Sequence, residues 1–429
     1  MKTLKTCIIL LTLLLAAMAM VPMVSAGGQN EKTAITDEIA AVAADSSVVQ
    51  LPQLQYDKTQ KNIVLSNELV LDENARTDQI IKDAAASQTP DISGIPFGAI
   101  VYHSPEGITT VFDRNGKQLF SAEDSESAMV DTPNGQLPAT SVFGVPDKSL
   151  IIENKSIVNV FYEKSRILTI IRNPVIEKES LILQQQGLDR WIEYGETSPI
   201  STVGQFSARW NVPNSPTLID EYTPPYGMDG TVSTIWNGLE TSDGDFLLQP
   251  VLEWYVKDSG SAPNPTIANW SIATWWVTPG DGIHSTRRYG IPSTEELILP
   301  GDQVQGNMIR SGAIWSGAVS DLTLGISSTL FLSSDQSSEL TYTNLQAYTV
   351  LEGWNPYILG LDPDDFDHRY IPGPVTFGNI IIKDIYGNNA IPASIPGIIN
   401  SGTWDITDYG LSVTNSTWPT SIALNTGNN

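Results

Sequence analysis

From Gln205 to the C-terminus the chain is written in short runs of alternating apolar and polar residues, broken roughly every 8–15 residues by clusters of Pro, Gly, Asn, Asp and Ser. No run of helical period follows Trp191. Strand side chains alternate between two faces, whereas a helix repeats roughly every 3.6 residues. A chain patterned this way buries its apolar face by stacking one sheet on another or by closing a sheet on itself. Residues 191–429 are therefore expected to form a mainly β domain, a sandwich or a barrel.

Tryptophan marks the edge of that domain. All eleven lie at or beyond Trp191. Residues 95–190 read as a small β-rich unit. Phe97 to Tyr102 and Ile108 to Phe112 are rich in β-branched and aromatic residues, and Asn115-Gly116 is a hairpin turn before Lys117 to Phe120. Further strands are expected at 157–162 and 166–171, then a short amphipathic stretch from Val175 to Leu188. This unit is either an intramolecular prosegment, covering the main domain until removed, or a permanent accessory domain. Residues 27–94 are polar, with Tyr56 their one aromatic. They read as a poorly ordered or loosely helical lead segment.

Residues 1–26 read as a secretory signal peptide. Lys2 and Lys5 precede an apolar run from Cys7 to Met20, and Val24-Ser25-Ala26 offers a small-residue cleavage site. An uncleaved N-terminal anchor is the alternative. Cys7 opens the run rather than flanking the cleavage site, which argues against a lipid-anchored cysteine. No later stretch approaches the ~18 apolar residues that span a bilayer. The expectation is a secreted, monomeric protein with no membrane association once the signal is gone.

Charge and composition remove several function classes. The 23 basic and 48 acidic residues give −25, and loss of Lys2 and Lys5 makes it −27. Such a surface repels nucleic acid and anionic lipid. Cys7 is the one cysteine, so a mature chain has no disulfide, thiol nucleophile or cysteine metal ligand. His103, His284 and His368 are scattered, without zinc-ligand spacing. No local motif for a serine nucleophile is present. The aspartates of DPDDFDH, 362–368, lack the glycine and distal glutamate of a calcium loop and read as a solvated acidic loop. No metal and no cofactor is expected.

The chemistry is concentrated in VSTIWNGLETSDGDFLLQPVLEWYV, 232–256. It reads as strand, polar loop, strand. On the second strand Phe246, Leu248, Leu252 and Trp254 share a core face, while Leu247, Gln249, Val251, Glu253 and Tyr255 share the other. On the first, Thr234, Trp236 and Glu240 share a face. If the strands pair as a hairpin with these faces matched, Gly238 lies opposite Gln249. Glu240 is then its diagonal neighbour, about 7–8 Å away by backbone position.

WNGLE at 236–240, with Gln249 nine residues later in LLQPVLEW, resembles the eqolisin-type glutamic peptidases and their prokaryotic relatives. The resemblance runs on through ANWSIATWW (268–276), LTYTNLQAYTV (340–350) and VTFGNI (375–380), covering about residues 200–382. It narrows the fold to a two-sheet antiparallel β-sandwich of the concanavalin A kind and implies a secreted enzyme that cleaves polypeptides at acid pH, with a zymogen form. A glutamine and a glutamate on the concave sheet would do the work. The carboxylate strips a proton from water, and the amide donates to the oxyanion. Gln249 falls on the glutamine, and Trp236 and Glu240 fall on a supporting tryptophan and acid. Trp275 and Tyr348 are placed among the substrate-binding residues, with Glu253 and Glu352.

At the second catalytic position the pattern departs. Gln346 stands where a glutamate is expected, and an amide cannot act as a general base. Three carboxylates can be set in its place. Glu352 lies six residues on, about 20 Å along one strand, and needs a bulge to reach. Glu253 lies four residues from Gln249, about 13 Å away. Glu240 has the best reach. If none serves, the same sandwich is an inactive binding module for polypeptide or glycan. A glycosidase would need paired carboxylates, and no Glu-x-Asp-x-x-Glu signature is present.

Overall fold

The computed structural model describes residues 55–57, 62–64, 95–172, 191–216, 230–257, 267–333, 345–353, 372–390, 398–401, 412–414 and 421–426, with breaks of one to four residues inside these stretches. Residues 1–26, read as a signal peptide, nearly all of 27–94, the stretch from Val175 to Leu188 and the acidic segment 362–368 lie outside them. Within 27–94 only Gln55–Asp57 and Asn62–Val64 are described, and they pair antiparallel.

The described chain is almost all β, and two large sheets face one another. The inner sheet has eight strands, numbered in chain order: β1 (Val142–Val145), β2 (Trp191–Glu196), β3 (Gly230–Thr241), β4 (Leu247–Lys257), β5 (Ile267–Val277), β6 (Gly282–Ser285), β7 (Leu345–Gly353) and β8 (Ile398–Ser401). Their spatial order is β8-β2-β7-β3-β4-β5-β6-β1. The outer sheet has thirteen strands. Seven come from the chain after Trp191, running from Ser412–Thr414 at one edge to Ile326–Ser333, and six from residues 95–172 complete it.

Alternation drives the stacking. Ile314–Asp321 buries every second residue over most of its length. Trp210, Met308, Trp315 and Phe377 from the outer sheet meet Leu248, Leu252, Trp254, Trp270 and Trp276 from the inner one in a continuous core. Where the period breaks, a residue of special backbone explains it. Asn379 adopts φ 49° inside Val375–Asp384, and the pairing with Val203–Asn211 slips nearby, between Ser207 and Arg209. Asparagine tolerates the left-handed region better than most residues.

The N-terminal strands follow their sequence signals closely. The observed ranges are Ala99–His103, Ile108–Phe112, Gln118–Glu123, Ile157–Tyr162 and Ser165–Ile171. The Asn115-Gly116 turn is secured by Asp113, whose Oδ1 accepts from the backbone N–H of Asn115 (2.8 Å) and Lys117 (2.9 Å), with Gly116 at φ 82°. The unit joins both sheets. β1 pairs parallel to β6, and Ser149–Asn154 pairs parallel to Ile326–Ser333. Phe143, Val145, Ile151, Val158, Leu168 and Ile170 extend the same core.

A buried ionic network ties this junction. Arg172 donates from Nε to Asp281 and from a terminal nitrogen to Glu153 Oε1 (2.6 Å), with its guanidinium 5.2 Å from the Trp276 ring. His103 Nε2 lies 3.2 Å from the other oxygen of Asp281, and its Nδ1 is bonded to Thr109 Oγ1 at 2.7 Å.

Candidate active site

The inner sheet turns one face to the core and sets the sequence-selected residues on the other. The strand register orders them in rows. The first row is Glu352, Thr234, Glu253 and Ser271, because Thr234 pairs with both glutamates and Glu253 with Ser271. The second is Tyr194, Val350, Trp236, Val251 and Ala273. The third is the polar one. Glu196 pairs with Tyr348, Tyr348 with Gly238, Gln249 with Trp275, and Trp275 with His284. The pairs Trp236–Val251 and Leu239–Leu248 leave Gly238 opposite Gln249. The fourth row is Gln346, Glu240, Leu247 and Val277.

Gln249, Glu240, Gln346, Tyr348 and Trp275 thus gather in two adjacent rows, with Glu240 and Gln346 direct cross-strand neighbours. Glu240 is the diagonal neighbour of Gln249, about 7–8 Å by backbone position. β7 pairs with β3 without a break from Leu345 to Gly353. No bulge therefore carries Glu352 toward Gln346, and the two stay six residues apart. Glu253 remains four residues from Gln249, about 13 Å along the strand.

Glu253 and Glu352 instead hold tryptophans. Glu253 Oε1 accepts the Trp275 indole N–H at 2.5 Å, and its Oε2 accepts from Arg287 Nε at 2.7 Å and Ser271 Oγ at 3.4 Å. Glu352 Oε2 accepts from Trp236 Nε1 at 3.3 Å and from Thr234 Oγ1 at 3.2 Å. The Trp236 ring leans over Gly238, where an added Cβ would stand 2.8 Å from it. Trp275 is bracketed by His284, 4.5 Å between ring centroids, and by the Arg287 guanidinium at 5.5 Å. Burial and the Arg287 charge push His284 well below the usual imidazole range, so it is neutral.

The polar residues of this face have two environments. Gln249, Glu253, Glu352, Trp236 and Trp275 are 0 % exposed, whereas Glu196, Glu240 and Gln346 are half-buried. Alternation in sequence suggests an open groove, but the described structure is closed at its centre. One cause is the hairpin of Met129–Thr132 and Gly135–Pro138. Its Val130 and Leu137 pack on the cluster of Trp236, Leu247, Val251 and Trp275. Leu137 and Thr132 sit above Gly282.

At the half-buried end the Tyr348 hydroxyl is hydrogen-bonded to Glu240 and to Glu196. Burial raises the phenol far above its ordinary range, and the charges of Glu240 and Glu196 raise it further. Burial likewise raises Glu196, partly offset by the Tyr348 bond. Among the described residues no group of three His, Cys, Asp or Glu is placed to hold a metal ion.

No family model matches the sequence, and no curated protein matches it. Among solved structures, the chain is similar to scytalido-glutamic peptidase with a transition-state analogue inhibitor, at 16 % identity and TM-score 0.36, over 55 % of this chain and 98 % of that one. It is similar to SCP-B, a member of the eqolisin family of peptidases in complex with the tripeptide Ala-Ile-His, at 15 % identity and TM-score 0.34, over the same shares. An alginate lyase from Klebsiella pneumoniae matches at 11 % identity and TM-score 0.25, over 42 % of this chain and 60 % of that one. Likeness of this order carries no weight for a mechanism.

Sequence reading passed over Glu196, Arg287 and His284. Glu196 lies 53 residues before Gln249, and nothing local marks it. His284 and Arg287 were visible only as a histidine and an arginine three residues apart, too weak a pattern to single out.

Proposed function

We propose that this chain is an exported, acid-acting peptidase with a glutamine and a glutamate as its working pair. The observation that supports the reading is the β3–β4 register, in which Gly238 lies opposite Gln249 and Glu240 is the diagonal neighbour of Gln249. The Glu240 carboxylate takes a proton from water as the water oxygen bonds to the scissile carbonyl carbon. The carbonyl π electrons move to oxygen, and the Gln249 amide N–H donates to that oxyanion. As the C–N bond breaks, the proton on Glu240 passes to the leaving amine. A carboxylic acid and an amine result. Trp236 and Trp275, held by Glu352 and Glu253, are the walls for a polypeptide substrate.

The closed centre fits a latent form made as a zymogen, with the hairpin at 129–138 lying where substrate would enter. A second reading, an inactive binding module, is favoured by Gln346 standing beside Glu240 in place of an acid, by the bonds of Glu253 to Trp275 and Arg287, and by those of Glu352 Oε2 to Trp236 and Thr234. Digestion of denatured casein between pH 2 and 7, with pepstatin present, separates the two. Cleavage abolished by Gln249→Ala supports the peptidase. No cleavage by the intact chain, or after loss of the segment before Trp191, leaves the binder.

A further inference from the structure

We infer that Glu196, Tyr348 and Glu240 form one proton-sharing chain across β2, β7 and β3, in which Glu196 is a positioning residue that governs the charge of Glu240. The inference rests on the peptidase reading and deepens it, since Glu196 is a carboxylate that no sequence motif in this chain marks.

The geometry is a phenol between two acids. Glu196 and Tyr348 are direct cross-strand partners, and Glu240 lies on the next strand, one row along. The hydroxyl is hydrogen-bonded to both carboxyl groups but has one proton to give. Two ionised carboxylates therefore compete for it. With Glu196 protonated the competition ends. The Glu196 O–H donates to the phenol oxygen, and the phenol O–H donates to the Glu240 carboxylate. That polarised chain keeps Glu240 ionised and aimed, which a general base requires.

The surroundings favour this half-protonated pair. From β2 itself Tyr194 faces the group; from β7 come Tyr348 and Gln346; from β3, Glu240; β8 offers Ile398 at the register position. None of these is a cation. The two acids share one neutral donor, so they titrate as a coupled pair with a singly protonated state between the steps. Burial raises Glu196 from its ordinary value, which favours that state. The phenol stays protonated throughout, being pushed upward by burial and both charges. An acid optimum then follows from three residues of this chain, with Gln346 left as it is.

The test uses the full chain with carboxyl-13C-labelled glutamate, in wild type, Glu196→Gln and Tyr348→Phe, together with the pH–rate profile on casein. A glutamine at 196 donates its amide N–H to the phenol at every pH. Its Glu240 resonance is expected to titrate in one step, about half a pH unit or more lower than in wild type, and the alkaline limb of the rate profile moves to higher pH. In Tyr348→Phe the Glu196 midpoint rises, because its hydrogen bond is lost. A Glu240 curve identical in wild type and Glu196→Gln overturns the inference. So do superimposed rate profiles in a protein whose cleavage still depends on Gln249, and in that case the peptidase reading survives. Absence of cleavage from every form overturns both.

Discussion

Trp275 donates its indole N–H to Glu253, and the same carboxylate takes a second hydrogen bond from Arg287. Glu253 is fully buried, and Trp275, Arg287 and Ser271 supply its hydrogen-bond donors. Removing one partner of a buried pair costs about 3–5 kcal/mol, because the other charge is stranded. Arg287→Ala is expected to lower stability by about 3 kcal/mol in urea unfolding followed by tryptophan fluorescence. Adding Glu253→Gln should restore part of that loss, since the stranded charge is gone.

Behind the face that carries Trp236 and Gln249, Asn237 points into the sandwich at Gly306. A Cβ built on Gly306 would stand 1.7 Å from Asn237 Oδ1. Neither sheet can yield that distance without unpacking the Trp-rich core. Gly306→Ala is expected to cost about 3 kcal/mol, at the upper end for overpacking. The pair Asn237→Ala with Gly306→Ala should recover most of it in a double-mutant cycle, whereas additive losses would show that the contact is not the cause.

Acid should loosen the junction between the N-terminal strands and the inner sheet. Burial pushes Asp281 up, but the Arg172 charge and the bonds from His103 and Arg172 outweigh it and hold the carboxyl below its ordinary value. A depressed folded-state pKa means stability that is fully present above the unfolded value, about 3.9, and lost as pH falls through the lower folded value. Wild type should therefore lose stability steeply below about pH 4. Asp281→Asn should be less stable at pH 6 and show a flatter decline. Parallel curves for the two proteins would remove Asp281 from the account.

The hairpin strands Met129–Thr132 and Gly135–Pro138 cover the face of Trp236 and Trp275 through Val130 and Leu137. Leu137→Asp places a charge against Trp236 and Trp275 neighbours and should lift the hairpin without touching either sheet ladder. Iodide quenching of tryptophan fluorescence is expected to rise, and casein cleavage with it. Increased quenching without increased cleavage would separate the cover from any zymogen role.

Much of this arrangement was legible in the sequence because period-2 alternation fixes faces. The core face of β4, the shared face of Thr234, Trp236 and Glu240, and the opposition of Gly238 to Gln249 all follow from it. The Asn115-Gly116 turn likewise announced the strands on either side. What stayed hidden depended on distance along the chain. Glu196 reaches Tyr348 only because β2 and β7 pair across some 150 residues, a pairing that no local pattern encodes. The hairpin strands MVDT and GQLP contain too few β-branched residues to read as strands. The parallel joins to β6 and Ile326–Ser333 turn two apparent units into partners in the same sheets.

The central claim is that Glu240 is the base. Glu240→Gln keeps the shape of a half-buried side chain and removes its basicity, so native tryptophan fluorescence and melting temperature should stay near wild type. Steady-state cleavage of casein at the pH optimum is the direct measurement. The account predicts a loss of about 10²–10⁴-fold in kcat, the usual contribution of a general base. A Glu240→Gln protein that cleaves at the wild-type rate would contradict it.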